Sequence, residues 1–141
     1  MDLTALMDLA AAREGLAAQP FSVLLGARLT EFGDSRATIE LDIRDELRQQ
    51  NGYVHGGVLA YAADNTLTFA AGAVLGPAVL TAGFTIDYLR PAGGPKLRAE
   101  AVVVQSGRSR ATSRCDLYTV DEDGASALCA VAQGTVVATR G

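Results

Sequence analysis

The stretch that decides the fold covers residues 57–77 and reads GVLAYAADNTLTFAAGAVLGP. Apolar side chains and alanines fall on nearly every side of it, which is the pattern of a buried helix. We therefore predict a helix from Gly57 to about Val74, ended by Gly76-Pro77. Because such a helix needs cover around most of its circumference, the rest of the chain must supply that cover.

Strand-like segments lie on both sides of this helix. Upstream, residues 24–32 and 36–43 form a predicted hairpin around the turn Gly33-Asp34-Ser35. Downstream, four β-rich segments follow, at residues 79–89, 96–105, 108–120 and 126–139. Their short links, rich in Gly, Pro and Asp, predict antiparallel neighbours. The expected fold class is α+β, with an antiparallel sheet curled around the long central helix.

The N-terminal residues predict a short amphipathic helix over residues 3–18, because Leu3, Leu6 and Met7 begin an apolar helical spacing. Pro20 is expected to end it. The segment lacks the basic start and continuous apolar region of a signal peptide, and no stretch approaches a membrane span of about 20 apolar residues. We interpret residues 1–141 as one domain, with residues 1–19 as a helical extension, and expect a cytoplasmic location.

Charge and cysteine content restrict the function further. A net charge of −4 argues against a nucleic-acid binder, which needs a clustered basic excess. Eleven of the 12 basic residues are Arg, and five of those lie between Arg90 and Arg114. Such a cluster suits a small phosphorylated ligand, with a solvated strand face as the equal alternative. Cys115 and Cys129 have no metal-ligand spacing and are expected to be reduced packing residues.

Asp64 lies in the middle of the apolar helix, where a carboxylate must find a partner, become protonated or face a cavity. Its function would be catalytic if it faces a cavity. The structural alternative is a carboxylate that caps a loop or pairs with an arginine. Thr68 lies one turn later on the same face, where its hydroxyl could hold the carboxylate or a water molecule.

Gly56-Gly57 lies at the expected start of the helix, where the first N–H groups have no partner within the helix and the dipole favours negative charge. Such an end can stabilise an oxyanion. Glycine also lets a bulky ligand approach the backbone closely, so both residues are candidates for substrate contact. The alternative is a flexible junction between loop and helix.

The spacing of these two groups has a consequence for assembly. Asp64 follows Gly56 by eight residues, so about 12 Å of helix separates them. They cannot reach the same carbonyl within one chain. If both act on one substrate, Asp64 must come from one subunit and the Gly56 amide from another, across a two-fold axis.

Three segments together resemble the hotdog-fold thioesterases of the phenylacetic-acid-degradation (PaaI-like) type: NGYVHGGVL at residues 51–59, Ala63-Asp64, and TIDYLRP at residues 85–91. The resemblance covers about residues 20–139. It implies a sheet wrapped around a central helix, homodimers joined through their sheets and often paired into tetramers, and hydrolysis of acyl-coenzyme A. It implies neither a metal nor a cofactor beyond the coenzyme A of the substrate.

The resemblance also assigns roles to individual residues. The acidic residue falls on Asp64, and the amide that polarises the carbonyl falls on Gly56. The amide side chain six residues before the histidine falls on Gln49, with Asn51 as the alternative if the loop register shifts. His55 is more similar to an organiser of this loop than to a base.

Further positions follow from the same resemblance. A small hydroxyl residue expected after the helix falls on Ala82, so its role passes to Thr81 or Thr68. Arg90, Arg108 and Arg110 fall where the family holds the pantetheine and phosphates of coenzyme A, with plain surface charge as the alternative.

The hypothesis is that Gly56 N–H polarises the thioester while Asp64 of the partner subunit activates water or attacks directly. The motifs of hotdog hydratases and dehydratases are not found. A non-catalytic acyl-CoA sensor remains the rival reading. The sequence does not identify the acyl group. Four aromatic residues could line its pocket, although aromatic residues at such positions more often belong to the core; they are Tyr53, Tyr61, Phe69 and Phe84.

Overall fold

The central helix is enclosed by a curved sheet in the computed structural model, which describes residues 8–139. The elements, in chain order, are α1 (Leu9–Ala17), α2 (Pro20–Leu25), β1 (Arg28–Gly33), β2 (Arg36–Asp42), a 3-10 turn (Asp45–Leu47), α3 (Gly56–Leu75), β3 (Val79–Tyr88), β4 (Lys96–Ser106), β5 (Arg110–Val120) and β6 (Ser126–Ala138). The six strands form one antiparallel sheet in the order β1-β2-β4-β5-β6-β3. The predicted α+β class is confirmed.

Helix α3 contacts all six of these strands. Its small residues Ala62, Ala63 and Ala70 are fully buried and let the sheet approach the helix backbone. Leu67 on the helix and Leu117 on β5 are also fully buried, and each such side chain contributes about 1.5–3 kcal/mol. By length and composition alone α3 could also cross a membrane, contrary to our expectation that no stretch approaches a span. The cover provided by the strands accounts for its apolar composition.

The predicted boundaries hold for most elements. Helix α3 begins one residue before the prediction and ends at Leu75, with Gly76 as its C-cap. The first hairpin turns through positive φ angles at Gly33, Asp34 and Ser35, as its composition predicted. Within the described residues, the N-terminal helix covers Leu9–Ala17 and is capped by Asp8, whose carboxylate accepts from Ala11 N at 2.9 Å. The predicted positions Leu3, Leu6 and Met7 lie outside the described residues.

The first strand was predicted wrongly at its beginning. Residues 20–25 form the short helix α2, and β1 starts only at Arg28. Pro20 occupies the first turn of α2, where its fixed φ suits a helix and its missing N–H costs nothing. Gly26 ends α2 in the left-handed conformation, at φ 76°. Pro20 thus begins a helix rather than ending one.

The prediction that consecutive strands are neighbours fails for β3 and β4. Strand β3 pairs with β6 at the edge of the sheet, and β4 pairs with β2 and β5. The link between β3 and β4 is residues 89–95, seven residues that can span about 24 Å. Three strand spacings amount to only about 14 Å, so a short link does not require adjacent strands. The result leaves β3 with one unpaired edge.

Candidate active site

Asp64 faces a cavity of about 230 Å³, and its carboxylate is held by β3. Thr81 Oγ1 donates to Asp64 Oδ1 at 2.6 Å and lies 2.7 Å from Thr68 Oγ1. Thr68 Oγ1 can donate to the backbone oxygen of Asp64 at 2.8 Å and makes no direct hydrogen bond to the carboxylate. Between residues 8 and 139 no arginine lies within ion-pair distance of Asp64. The arginine-pair alternative therefore does not describe this carboxylate.

Two hydroxyl protons serve the three contacts among Asp64, Thr68 and Thr81. Each threonine hydroxyl has one proton to donate. When Thr81 gives its proton to Asp64 Oδ1, the single proton of Thr68 can go either to Thr81 Oγ1 or to the backbone oxygen of Asp64. Asp64 Oδ2 accepts no hydrogen bond from the described residues, which leaves it available to a water molecule in the cavity.

A polar tetrad beside Asp64 was not predicted. It consists of Gln19, Ser22, Tyr61 and Asn65, joined by hydrogen bonds of 2.5–3.2 Å. All four residues line the Asp64 cavity. The available signal was Asn65, an amide one turn after Tyr61 in the same helix. Its other partners, Gln19 and Ser22, lie 46 and 43 residues upstream, and only the fold brings them to it.

The beginning of α3 forms the second half of the candidate site. His55 is the N-cap, and its Nδ1 accepts from Gly57 N at 2.8 Å. Nδ1 is therefore unprotonated in this arrangement. A Cβ on Gly57 would lie 3.0 Å from this nitrogen, so the glycine makes room for the cap. Gly57 N is thus occupied, whereas Gly56 N donates to no acceptor among the described residues.

The loop before α3 is held by Gln49. Its Oε1 accepts from Asn51 N at 2.5 Å and Tyr53 N at 3.3 Å, which leaves its Nε2 as the free donor. Gln49, Asn51 and Gly56 line one cavity of about 530 Å³. The amide side chain that the resemblance assigned to substrate contact thus also fixes the loop, and only its N–H groups remain for a ligand.

Tyr88 and Arg90 complete this second cavity. Tyr88 Oη donates to Gly56 O at 3.0 Å, which ties the end of β3 to the start of α3. Of the three predicted arginines, only Arg90 lines the Gly56 cavity. Arg110 lines a separate cavity formed by β3, β5 and β6, and the exposed Arg108 lies in the turn before β5. One subunit therefore does not gather the three arginines.

The four predicted aromatic candidates are distributed over different cavities. Tyr61 lines the Asp64 cavity, Phe69 lines a cavity next to it, Tyr53 lines the Gly56 cavity, and Phe84 lines the cavity that contains Arg110. They do not form one aromatic pocket within a subunit.

The Asp64 and Gly56 cavities share no lining residue. Strand β3 runs between them, with Thr81 bonded to Asp64 near one end and Tyr88 bonded to Gly56 at the other. The register shift between Thr81 and Gly83 changes the alternation of the strand, so that Thr81 and Tyr88 both reach α3 although seven residues separate them. One subunit therefore contains two separated half-sites.

The two cysteines are buried and free, and burial raises the pKa of both thiols. The thiolate is the nucleophilic form, so a raised pKa makes both residues poor nucleophiles at neutral pH. Among residues 8–139, no three His, Cys, Asp or Glu side chains lie close enough together to share a metal ion.

Comparison with known proteins identifies the family of the chain. A family model described as the thioesterase superfamily matches residues 51–126, which is more than half of the chain. The chain belongs to the thioesterase superfamily. It is therefore an enzyme of the thioester-hydrolase class, and the resemblance to PaaI-like hotdog thioesterases is confirmed.

Other members of the thioesterase superfamily are similar in sequence and structure. A candidate esterase of Mycobacterium tuberculosis is 32% identical over 94 residues, which cover 63% of this chain and 67% of the relative. A thioesterase family protein of Silicibacter pomeroyi has a TM-score of 0.86 at 29% identity and covers 92% of this chain and 96% of its own. A point mutant of the phenylacetic acid degradation protein PaaI of Thermus thermophilus has a TM-score of 0.75 at 30% identity, covering 86% and 100%.

Proposed function

We propose that this thioesterase hydrolyses the thioester of a small acyl-coenzyme A at a site that two subunits share. The observation that carries the proposal is the pair of half-sites: a carboxylate oxygen free in one cavity and an unpaired helix N-terminal amide in another. Because about 12 Å of helix separates them, they can meet only between two copies.

The unpaired edge of β3 is the surface through which two copies would join. Strand β3 ends the sheet, and its side chains Leu80 and Tyr88 are 62% and 52% exposed. An antiparallel pair of β3 strands, centred near Phe84, would lay Thr81 of one copy close to the Tyr88 end of the other. Asp64 of one subunit would then approach Gly56 of its partner. The PaaI-like resemblance adds the pairing of two such dimers into a tetramer.

In the reaction, Gly56 N–H donates to the thioester oxygen, and the dipole of α3 adds to the stabilisation of the oxyanion. Asp64 of the partner subunit takes a proton from water as the water oxygen bonds to the carbonyl carbon. The tetrahedral intermediate then expels the coenzyme A thiolate, which receives the proton from Asp64. Direct attack by Asp64 would instead give an anhydride that water hydrolyses. Neither course requires a metal.

Arg90 supports the assignment of coenzyme A as the leaving group, because this arginine lines the Gly56 cavity and a guanidinium group can bind a phosphate. Arg108 and Arg110 do not line this cavity, so we propose that they contact coenzyme A only in the assembled dimer. The two free cysteines agree with a reducing compartment, so we place the reaction in the cytoplasm.

The decisive experiment measures hydrolysis of a panel of acyl-CoA thioesters, including phenylacetyl, hydroxybenzoyl, short-chain and medium-chain esters. Asp64→Asn is the matched variant, because its side-chain oxygen can still accept from Thr81 while its basicity is lost. We expect a loss of kcat of about 10²–10⁴-fold in Asp64→Asn and Asp64→Ala. Wild-type turnover in a folded variant would remove Asp64 from the mechanism, and tight binding without turnover across the panel would favour a sensor.

A further inference from the structure

The cavity beside Asp64 continues along α3 with a change in chemistry. A second cavity, of about 210 Å³, shares Gln19, Asn65 and Thr68 with the Asp64 cavity, whose volume is about 230 Å³. Beyond these shared residues its wall is apolar and includes Phe32 and Phe69. We call the two cavities together the acyl groove. It passes from a carboxylate, through an amide pair, to an apolar end.

The amide pair presents one free donor and one free acceptor. The tetrad uses Gln19 Oε1 as an acceptor and Asn65 Nδ2 as a donor. Gln19 Nε2 and Asn65 Oδ1 have no partner among the described residues, and neither is one of the fully buried atoms that lack partners. Both atoms therefore reach open space. A hydroxyl group, which donates and accepts, would satisfy both of them.

We propose that Gln19 and Asn65 select acyl groups with a hydroxyl two carbons from the thioester carbonyl and an apolar tail beyond it. The inference rests on the proposed function, since it requires the carbonyl to lie beside Asp64. Along α3, Asn65 is about 1.5 Å of rise from Asp64, whereas Phe69 is about 7.5 Å away. The polar partners thus lie next to the reacting carbon and the apolar wall lies further along.

The polar and apolar parts of the acyl groove determine how strongly kcat/KM should differ between hydroxylated and unhydroxylated acyl groups. An acyl group without the hydroxyl would leave both amide groups facing apolar atoms without a partner, which costs about tenfold or more in kcat/KM. A hydroxyl at the far end of the chain would instead lie against Phe32 and Phe69, where it has no partner. The position of the hydroxyl therefore matters as much as its presence.

The test compares kcat/KM for three coenzyme A esters of equal chain length: a 3-hydroxyacyl, a saturated acyl and a terminally hydroxylated acyl ester. Wild-type enzyme should prefer the 3-hydroxyacyl ester by about tenfold or more over both others. Gln19→Met removes the free donor and should reduce this ratio to within about twofold of one.

Ser22→Ala is the matched control, because it breaks the tetrad while the free donor and acceptor of the amide pair remain. If the tetrad only supports the structure, Gln19→Met and Ser22→Ala should both lower kcat/KM for all three esters alike and leave the ratio unchanged. If Gln19 selects the hydroxyl, Gln19→Met should reduce the ratio and Ser22→Ala should keep it. Hydrolysis of all three esters with a wild-type ratio near one overturns the inference and leaves the proposed function intact.

A complete lack of hydrolysis would overturn the proposed function instead. In that case calorimetric binding of the same three esters decides the inference separately. The 3-hydroxyacyl ester should bind about tenfold more tightly than the saturated ester, and equal affinities would overturn the selection.

Discussion

Gly56→Pro removes the backbone N–H that would polarise the thioester carbonyl in the proposed mechanism. The position is one at which proline fits. Gly56 is the first residue of α3, the helical position at which proline is most readily accepted. The preceding His55 has φ −60° and ψ 136°, which is the extended conformation that proline requires before it. A Cβ at residue 56 would lie 3.4 Å from Tyr88 Oη, and Tyr88 is half exposed and can move slightly. We therefore expect a folded protein.

The expected loss in Gly56→Pro is about 10²–10³-fold in kcat, the usual effect of deleting one oxyanion donor. The dipole of α3 remains, so some activity should persist. Gly56→Ala keeps the N–H and adds the same Cβ, and it should lose much less. Steady-state hydrolysis of acyl-CoA measures the activity of both variants. Thermal unfolding should show that the free energy of unfolding of Gly56→Pro changes by no more than about 1 kcal/mol. Wild-type kcat in folded Gly56→Pro would refute the assignment, and equal losses in both variants would show a steric effect.

Three further predictions test assembly, positioning and packing. Equal mixing of Asp64→Ala and Gly56→Pro subunits should restore about a quarter of wild-type activity, because half of the dimers are mixed and each has one intact site of two; no recovery after confirmed subunit exchange would contradict a shared site. Thr81→Val should lower kcat about tenfold with little change in KM, since the carboxylate loses its donor, whereas Thr81→Ser should retain activity. Gly134→Ala should lower the free energy of unfolding by about 1–3 kcal/mol, because its Cβ would lie 2.6 Å from the Cβ of Phe84 on β3. Gly15→Ala should not lower it, because the space around Gly15 is open.

Local signals were sufficient for most of the fold. The apolar run that became α3 and the Gly33-Asp34-Ser35 turn each carry their information within a few residues. The errors came where the local signal has two meanings. Pro20 both follows a helix and begins one, and the apolar residues of α2 resemble a strand when read without their partners. The pairing of β3 with β6 depends on contacts about 50 residues apart, which no short pattern contains.

Some residues of the candidate site could also be predicted from local sequence, and others could not. Asp64 and Gly56 were recognisable because each is unusual in its own helix: a carboxylate among alanines, and glycine where the first amide is free. Gln49 was identified as an amide near the site, but its carbonyl contacts with the loop were not foreseen. The tetrad around Asn65 was missed because Gln19 and Ser22 lie more than 40 residues away along the chain and reach Tyr61 and Asn65 only after folding.

Strand β3 forms one edge of the sheet and also positions both half-sites. Through Thr81 the strand holds the carboxylate, and through Tyr88 it holds the start of α3, so both half-sites are anchored to an edge strand of the sheet. A rigid helix keeps the two groups about 12 Å apart, and no side-chain movement can bring them together within a chain. Pairing of two β3 edges would therefore assemble the site in the same step that removes an exposed strand edge, so a monomer of this thioesterase should be inactive even when it is folded.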